Sequence, residues 1–180
     1  MADDKKEPWM NWLALTTVIL AVCATMATFK GGGHSTKSVM GQTKASDQWA
    51  YFQAKSIKGY IYDLQCEKLQ LELKANVGTL SAELQKDYTD RITSYKAKVQ
   101  KYDSEKSAIE KKARELEDFR DLSGRHSAAF GMAVIYLQIA ILLSSIAALL
   151  KKKPLWLGGL VVGLVGIVHF ANGFYLFFVP

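Results

Sequence analysis

Proline is nearly absent from this chain. It occurs at Pro8, Pro154 and Pro180, and residues 42–125 contain none. Glycine is nearly as scarce in that stretch, with Gly59, Gly78 and Gly124. A long segment without helix breakers argues against a loop-rich domain and permits long helices. Cysteine is also rare. Cys23 and Cys66 form no CxxC and have no histidine at ligand spacing, which excludes a disulfide framework and a zinc-finger pattern. They read as packing residues, with an intermolecular Cys66 bridge as the remaining alternative. No GxxxxGK[ST], HExxH or GxSxG motif occurs, and no carboxylates are paired by an obvious fold. The chain is therefore not expected to be an enzyme, and no catalytic residue, metal ligand or cofactor site is assigned.

Charge is missing from three runs. Trp9–Phe29, Phe130–Leu150 and Leu155–Val179 contain no charged residue. Each exceeds the roughly 20 apolar residues needed to cross a bilayer as a helix. The first competes with a secretory signal peptide, for which Thr25-Met26-Ala27 offers a small-x-small cleavage site. It is long for a signal core, so it reads as a retained transmembrane helix. The second and third runs are separated only by Lys151, Lys152, Lys153 and Pro154 and read as a membrane-spanning hairpin. The expected spans are 9–29, 130–150 and 155–178, with a polar tail at 1–8.

The charges that do occur are concentrated between the runs. Residues 30–129 hold 18 Lys/Arg and 14 Asp/Glu. The net charge of +6 and pI near 9.2 do not indicate nucleic acid, because both signs interleave and the lysine cluster flanks a membrane run. Within 42–125 the apolar residues recur at spacings of four and three. On the second half the row is Tyr88, Ile92, Tyr95, Val99, Tyr102, Lys106, Ile109, Ala113 and Leu116. On the first half it is Ala50, Ala54, Ile57, Ile61, Leu64, Lys68, Leu71 and Ala75. Both are a/d heptad seams. Asn76-Val77-Gly78-Thr79 divides them: Gly78 suits a left-handed helix end, and Thr79 or Ser81 can cap the next helix. The pattern predicts helices over about 43–76 and 80–124, folded back as an antiparallel coiled-coil hairpin at 42–125 with its turn near 76–80. Lys30-Gly31-Gly32-Gly33-His34-Ser35 reads as a Gly-rich hinge, taken as 30–41. Leu122–Ser127 reads as a shorter break. His34 and His126 read as interfacial side chains.

The predicted fold class is thus an all-α membrane protein: three transmembrane helices plus a long extramembrane helical hairpin. The short basic connector places Lys151–Lys153 in the cytoplasm by the positive-inside rule, which puts the N-terminus in the cytoplasm and the hairpin outside, periplasmic or extracellular. Lys30, Lys37, Lys44, Arg114, Arg120 and Arg125 pull the other way, but long loops follow the rule poorly. Cys66 offers itself as a labelling probe of that sidedness.

Two sets of residues are candidate functional positions. In the third run Gly159, Gly163, Gly166, His169, Asn172 and Gly173 recur on or beside one face. Gly159-x-x-x-Gly163 permits close helix approach, and an intramembrane histidine is a functional candidate by default. The readings are a packing hydrogen bond, with Gln138 as partner, a proton relay, or haem ligation, for which a second intramembrane ligand is missing. In the hairpin, Trp49, Tyr51, Phe52, Lys55 and Lys58 lie in an aromatic segment. They suit lipid headgroups, a docking partner, or packing against the returning helix.

The segment Asp47-Gln48-Trp49-Ala50-Tyr51-Phe52-Gln53-Ala54-Lys55-Ser56-Ile57-Lys58, with a preceding apolar run and two following runs around a basic turn, carries a resemblance. The chain resembles a bacterial family of uncharacterised membrane proteins, domain-of-unknown-function family four-three-three-seven, over nearly its whole length. The resemblance implies a bacterial inner-membrane protein of this layout and supplies no activity, cofactor or catalytic residue. The function expected is a scaffold or accessory subunit in the membrane lipid. It would be a homo-oligomer or part of a larger complex, without nucleic acid. An oligomeric channel lined by the third span is the alternative. Sensing through motion at Gly31–Gly33 is a third class, with no output domain attached.

Overall fold

The computed structural model describes residues 8–178; the charged tail at 1–7 and the last two residues lie outside the described residues. Three α-helices, and no strand, occur among the described residues. They are α1 (Pro8–Ala75), α2 (Ala82–Leu150) and α3 (Lys153–Tyr175). Each contains a stretch long and apolar enough to cross a membrane.

The expected interruptions at 30–41 and 122–127 are corrected by the structure, since both segments are helical. Glycine costs a helix only about 1 kcal/mol per residue relative to alanine. Tertiary contacts offset that cost here. The Ser127 hydroxyl donates to the Gly31 carbonyl at 3.1 Å, and Ser38 donates to the Arg120 carbonyl at 3.1 Å. A Cβ on Gly31 would lie 3.1 Å from the Phe130 Cβ, so glycine permits the helices to meet there. Leu122–Ser127 contains no proline, and its Ser123 is buried.

The breaks that do occur are made by backbone geometry. Gly78 has φ +85°, a conformation that favours glycine. Ser81 then caps α2 by accepting from the Leu84 N–H at 3.3 Å. Between α2 and α3, Lys151 takes a left-handed φ of 52°, and the Lys152 N–H bonds to the Ala147 carbonyl at 3.1 Å. Pro154 follows within the first turn of α3, where its missing N–H is not needed. α3 stops at Tyr175, three residues before the expected 178. Leu176 is left-handed and its N–H returns to the Asn172 carbonyl.

The chain divides into two compact units. One comprises the described residues up to Met40 with those from Phe119 onward; the other is Gly41–Asp118. In the first, Leu20, Ala24 and Ala27 of α1 form a core with Phe130, Ala133, Leu137 and Ala140 of α2, and Val162, Ile167 and Phe170 of α3 pack against it. A second cluster joins Leu13, Ala147 and Trp156, and the Trp156 indole donates to the Thr16 hydroxyl at 3.2 Å. Small residues dominate, which allows close helix approach.

In the Gly41–Asp118 unit, α1 and α2 run antiparallel: residue 49 meets 117, 62 meets 102, and 72 meets 88. On α2 the expected row faces inward, with Ile92, Ile109 and Ala113 buried and the other members half-buried. On α1 the expected row is overturned. Ala50, Ala54, Ile57, Ile61, Leu64, Lys68, Leu71 and Ala75 are all exposed. The inward row is Ala45, Trp49, Phe52, Lys55, Gly59, Tyr62, Cys66, Leu69 and Leu73, where Ala45, Gly59 and Cys66 are buried. Both rows have the same period, so spacing could not choose between them. The inward row sets small residues at its buried positions, Ala45, Gly59 and Cys66, and Gly59 lies opposite Tyr102.

Candidate functional site

Gly159, Gly163, Gly166 and Gly173 of α3 lie against the other helices of their own unit. An added Cβ on Gly159 would lie 3.2 Å from the Ala140 carbonyl oxygen and 3.3 Å from the Ser144 hydroxyl. On Gly163 it would meet Leu20 at 3.1 Å, on Gly166 the Leu137 side chain at 2.8 Å, and on Gly173 the Phe130 ring at 2.6 Å. Phe130 is itself held edge-on by Phe170 and Phe174. The missing side chains therefore create the space that Leu137 and Phe130 fill.

The polar members of the face behave differently. Asn172 is fully buried and closes the end of α3: its amide donates to the Phe178 carbonyl at 2.9 Å and accepts from the Phe178 N–H at 3.0 Å. His169 is half-buried, stacked on Tyr136 with centroids 5.3 Å apart and met edge-on by Phe178. Its Nδ1 has no hydrogen-bond partner, and Gln138, the expected one, is exposed. No group of three or more His, Cys, Asp or Glu side chains at metal-binding distance occurs among the described residues.

Two histidines outside the apolar runs are brought together. His34 stacks on His126 with centroids 4.6 Å apart, and the His126 Nδ1 lies 2.8 Å from the Gly173 carbonyl. That geometry requires the Nδ1–H tautomer, with the imidazole donating. Burial, followed by the neighbouring His126, Lys37 and Lys30 charges, lowers the His34 pKa from the ordinary 6.5. Their sequence separation hid this pair.

The aromatic segment of the helix-pair unit is divided between two faces. The Trp49 indole donates to the Glu117 carboxylate at 2.9 Å, its ring meets Phe52 edge-on, and Arg114 lies over it at 5.9 Å. Lys55 pairs with Glu105 and lies 5.2 Å from the Tyr51 ring and 5.4 Å from the Tyr102 ring. Tyr51 and Lys58 are exposed. Farther along, Tyr62 stacks on Tyr102 and Lys98 sits 4.6 Å over Tyr62. Such cation–π contacts contribute about 0.5–1 kcal/mol each when exposed. This lysine–tyrosine ladder was missed from the sequence, although Tyr88, Tyr95 and Tyr102 stand at seven-residue intervals. Cys66 is buried, accepting from the Gln70 amide at 3.4 Å, and so is a poor labelling probe.

With its inward face occupied, α1 leaves another face exposed. Ile57, Tyr60, Ile61, Leu64 and Leu71 are 59%, 67%, 53%, 66% and 66% exposed. Over residues 82–118, α2 exposes one large hydrophobic side chain, Leu84.

Long helices carrying three apolar stretches, small-residue packing and a helix pair define an all-helical protein with the lengths of a membrane-spanning chain. The family model described as Domain of unknown function (DUF4337) matches residues 9–176, and the chain belongs to that family. No curated protein and no solved structure matches the chain.

Proposed function

We propose that the protein is a non-enzymatic integral membrane scaffold or accessory subunit that docks a helical partner on the Gly41–Asp118 unit. The observation that carries this reading is the outward apolar row of α1. A lone helix pair in water gains nothing from exposing four large aliphatic side chains on one helix while keeping the other charged. Its three apolar stretches sit in the lipid of a bacterial inner membrane. The positive-inside bias puts Lys151–Lys153 in the cytoplasm with the N-terminus, and the helix pair outside. What favours docking over a pore lined by α3 is that Gly159, Gly163, Gly166 and Gly173 already meet side chains of the same chain, while His169 lies on Tyr136.

The test is site-specific photo-crosslinking in native membranes, with the reactive side chain placed at Leu64 or at Lys111, an exposed position on α2. A discrete adduct from Leu64 and none from Lys111 is the expected result. Absence of any adduct from Leu64 would overturn the docking reading. Reproducible ion conductance of the purified protein, altered by His169→Ala, would replace it with a channel.

A further inference from the structure

We infer that the groove on α1 over Gly32 and Gly33 holds the phosphate headgroup of an anionic phospholipid. This rests on the membrane placement proposed above and names a lipid ligand for it.

Packing within the chain does not account for these two glycines. Glycine disfavours a helix interior. Gly31 is explained by its close contact with Phe130, but a Cβ on Gly32 or Gly33 would meet nothing within 4 Å. Their missing side chains leave an open groove of about 560 Å³, lined also by Thr28, Phe29, Lys30, Thr36 and Lys37.

The place of the groove along α1 suits a lipid. Val18, Val22, Met26 and Phe29 are exposed and lie on one helical face. Spacings of four carry that face on to Gly33 and Lys37. Phe29 is the last residue of the first uncharged run. The headgroup layer of a bilayer begins where its hydrocarbon ends. Acyl chains can therefore lie along Val22 and Met26 while the headgroup enters the space over the glycines.

Charge selects the headgroup. Lys30 and Lys37 are exposed and one heptad apart, about 10 Å along the axis, with Gly33 between them. Residues 8–46 contain no Asp or Glu. Elsewhere in the same unit the described residues hold a single acid, Asp121, and it pairs with Arg120 at 2.8 Å. The two lysines are thus left without a carboxylate of their own unit. Thr28 and Thr36 donate their hydroxyl protons to the Ala24 and Gly32 carbonyls at 2.9 and 3.1 Å, so the ammonium groups are what a phosphate meets. A headgroup of net negative charge gains from both lysines, whereas a zwitterionic one sets its own cation against them.

The test uses the full chain. It is first floated with phosphatidylglycerol vesicles, then titrated in mild detergent with phosphatidylglycerol or phosphatidylcholine and read by native mass spectrometry. Phosphatidylglycerol should be retained in preference to phosphatidylcholine. Lys30→Gln with Lys37→Gln should weaken its binding by about 30-fold, the scale of two lysines at an anionic surface. Gly33→Leu, which fills the groove and favours the helix, should also weaken it, with unchanged circular dichroism. The same charge change at Lys86 and Lys111, exposed positions on α2, should leave binding as it was. Equal retention of the two lipids overturns the inference, as does an equal loss from the two lysine pairs or indifference to Gly33→Leu. Displacement of the lipid by inorganic phosphate would assign the groove to a free phosphate and overturn it too. Failure to float overturns the membrane placement and this inference together; a chain that floats without selective retention overturns this inference alone.

Discussion

The same two helices are packed by opposite means in the two units. Where α1 and α2 join α3, contact is made by absence: glycines and alanines leave room for Phe130, Leu137 and Leu20. Between Gly41 and Asp118, contact is made by reach: tyrosine rings, lysine stems and an indole span the seam, each with a polar tip bonded or near water. The proposed membrane placement accounts for the difference through solvent. In hydrocarbon there is no hydrophobic drive between apolar helices, so close van der Waals fit and satisfied polar groups must hold them. In water, amphipathic side chains bury their stems and keep their charges hydrated.

The most direct way to break this comparison is to fill the space in the first unit. Gly166→Ala would set a Cβ 2.8 Å from Leu137 and 3.0 Å from its backbone nitrogen. Overpacking of this kind costs about 1–3 kcal/mol. Detergent-phase unfolding should show that loss, while Gly158→Ala, which meets nothing within 4 Å, should show none. Equal effects from the two would mean that close approach is not what holds α3.

Next in size is the polar closure of α3. Asn172→Leu removes both bonds to the Phe178 backbone in a fully buried position. The expected loss is about 1–3 kcal/mol, the cost of leaving buried polar groups unsatisfied. Proteolysis near residue 176 should accelerate in the same variant; unchanged cleavage would argue against the closure.

Acid should separate the units. His34 is held below 6.5, so the folded state favours its neutral ring. That contribution is whole above pH 6.5 and is lost as the pH falls below it, because the unfolded chain then binds the extra proton. The Lys55 hydrogen bond lowers the Glu105 pKa below 4.5, so the contribution from this carboxylate is whole above 4.5 and fades only at lower pH. Hydrogen exchange followed by pH should loosen the region around His34 first, and His34→Gln should remove that phase. Simultaneous loosening in wild type would contradict the distinction.

The smallest expected effect lies in the seam built on reach. A Cβ on Gly59 would meet the Tyr102 Cβ at 3.6 Å, an ordinary contact. Gly59→Ala should therefore stabilise the helix pair by about 0.5–1 kcal/mol through helix propensity alone. A loss in thermal unfolding would show that this seam, too, depends on a missing side chain.

Several features were legible in the residues themselves. Uncharged runs mark three helices, because length and hydropathy alone set what can cross a bilayer. Tyr88, Ile92, Ile109 and Ala113 mark the inward face of α2, since its opposite face is charged. Gly78 marks the turn between α1 and α2, because a left-handed residue there excludes most side chains. Tertiary structure decided the rest. Gly31–Gly33 carry a breaker's composition, yet they are helical where Ser127 and Phe130 pack alongside Gly31. Residues 50–75 offer two apolar rows of one period, and packing against α2 selects the row with Gly59 and Cys66. Periodicity states how often a helix repeats a face, whereas which face it buries depends on the shape of the neighbour, and that neighbour is a segment distant in sequence.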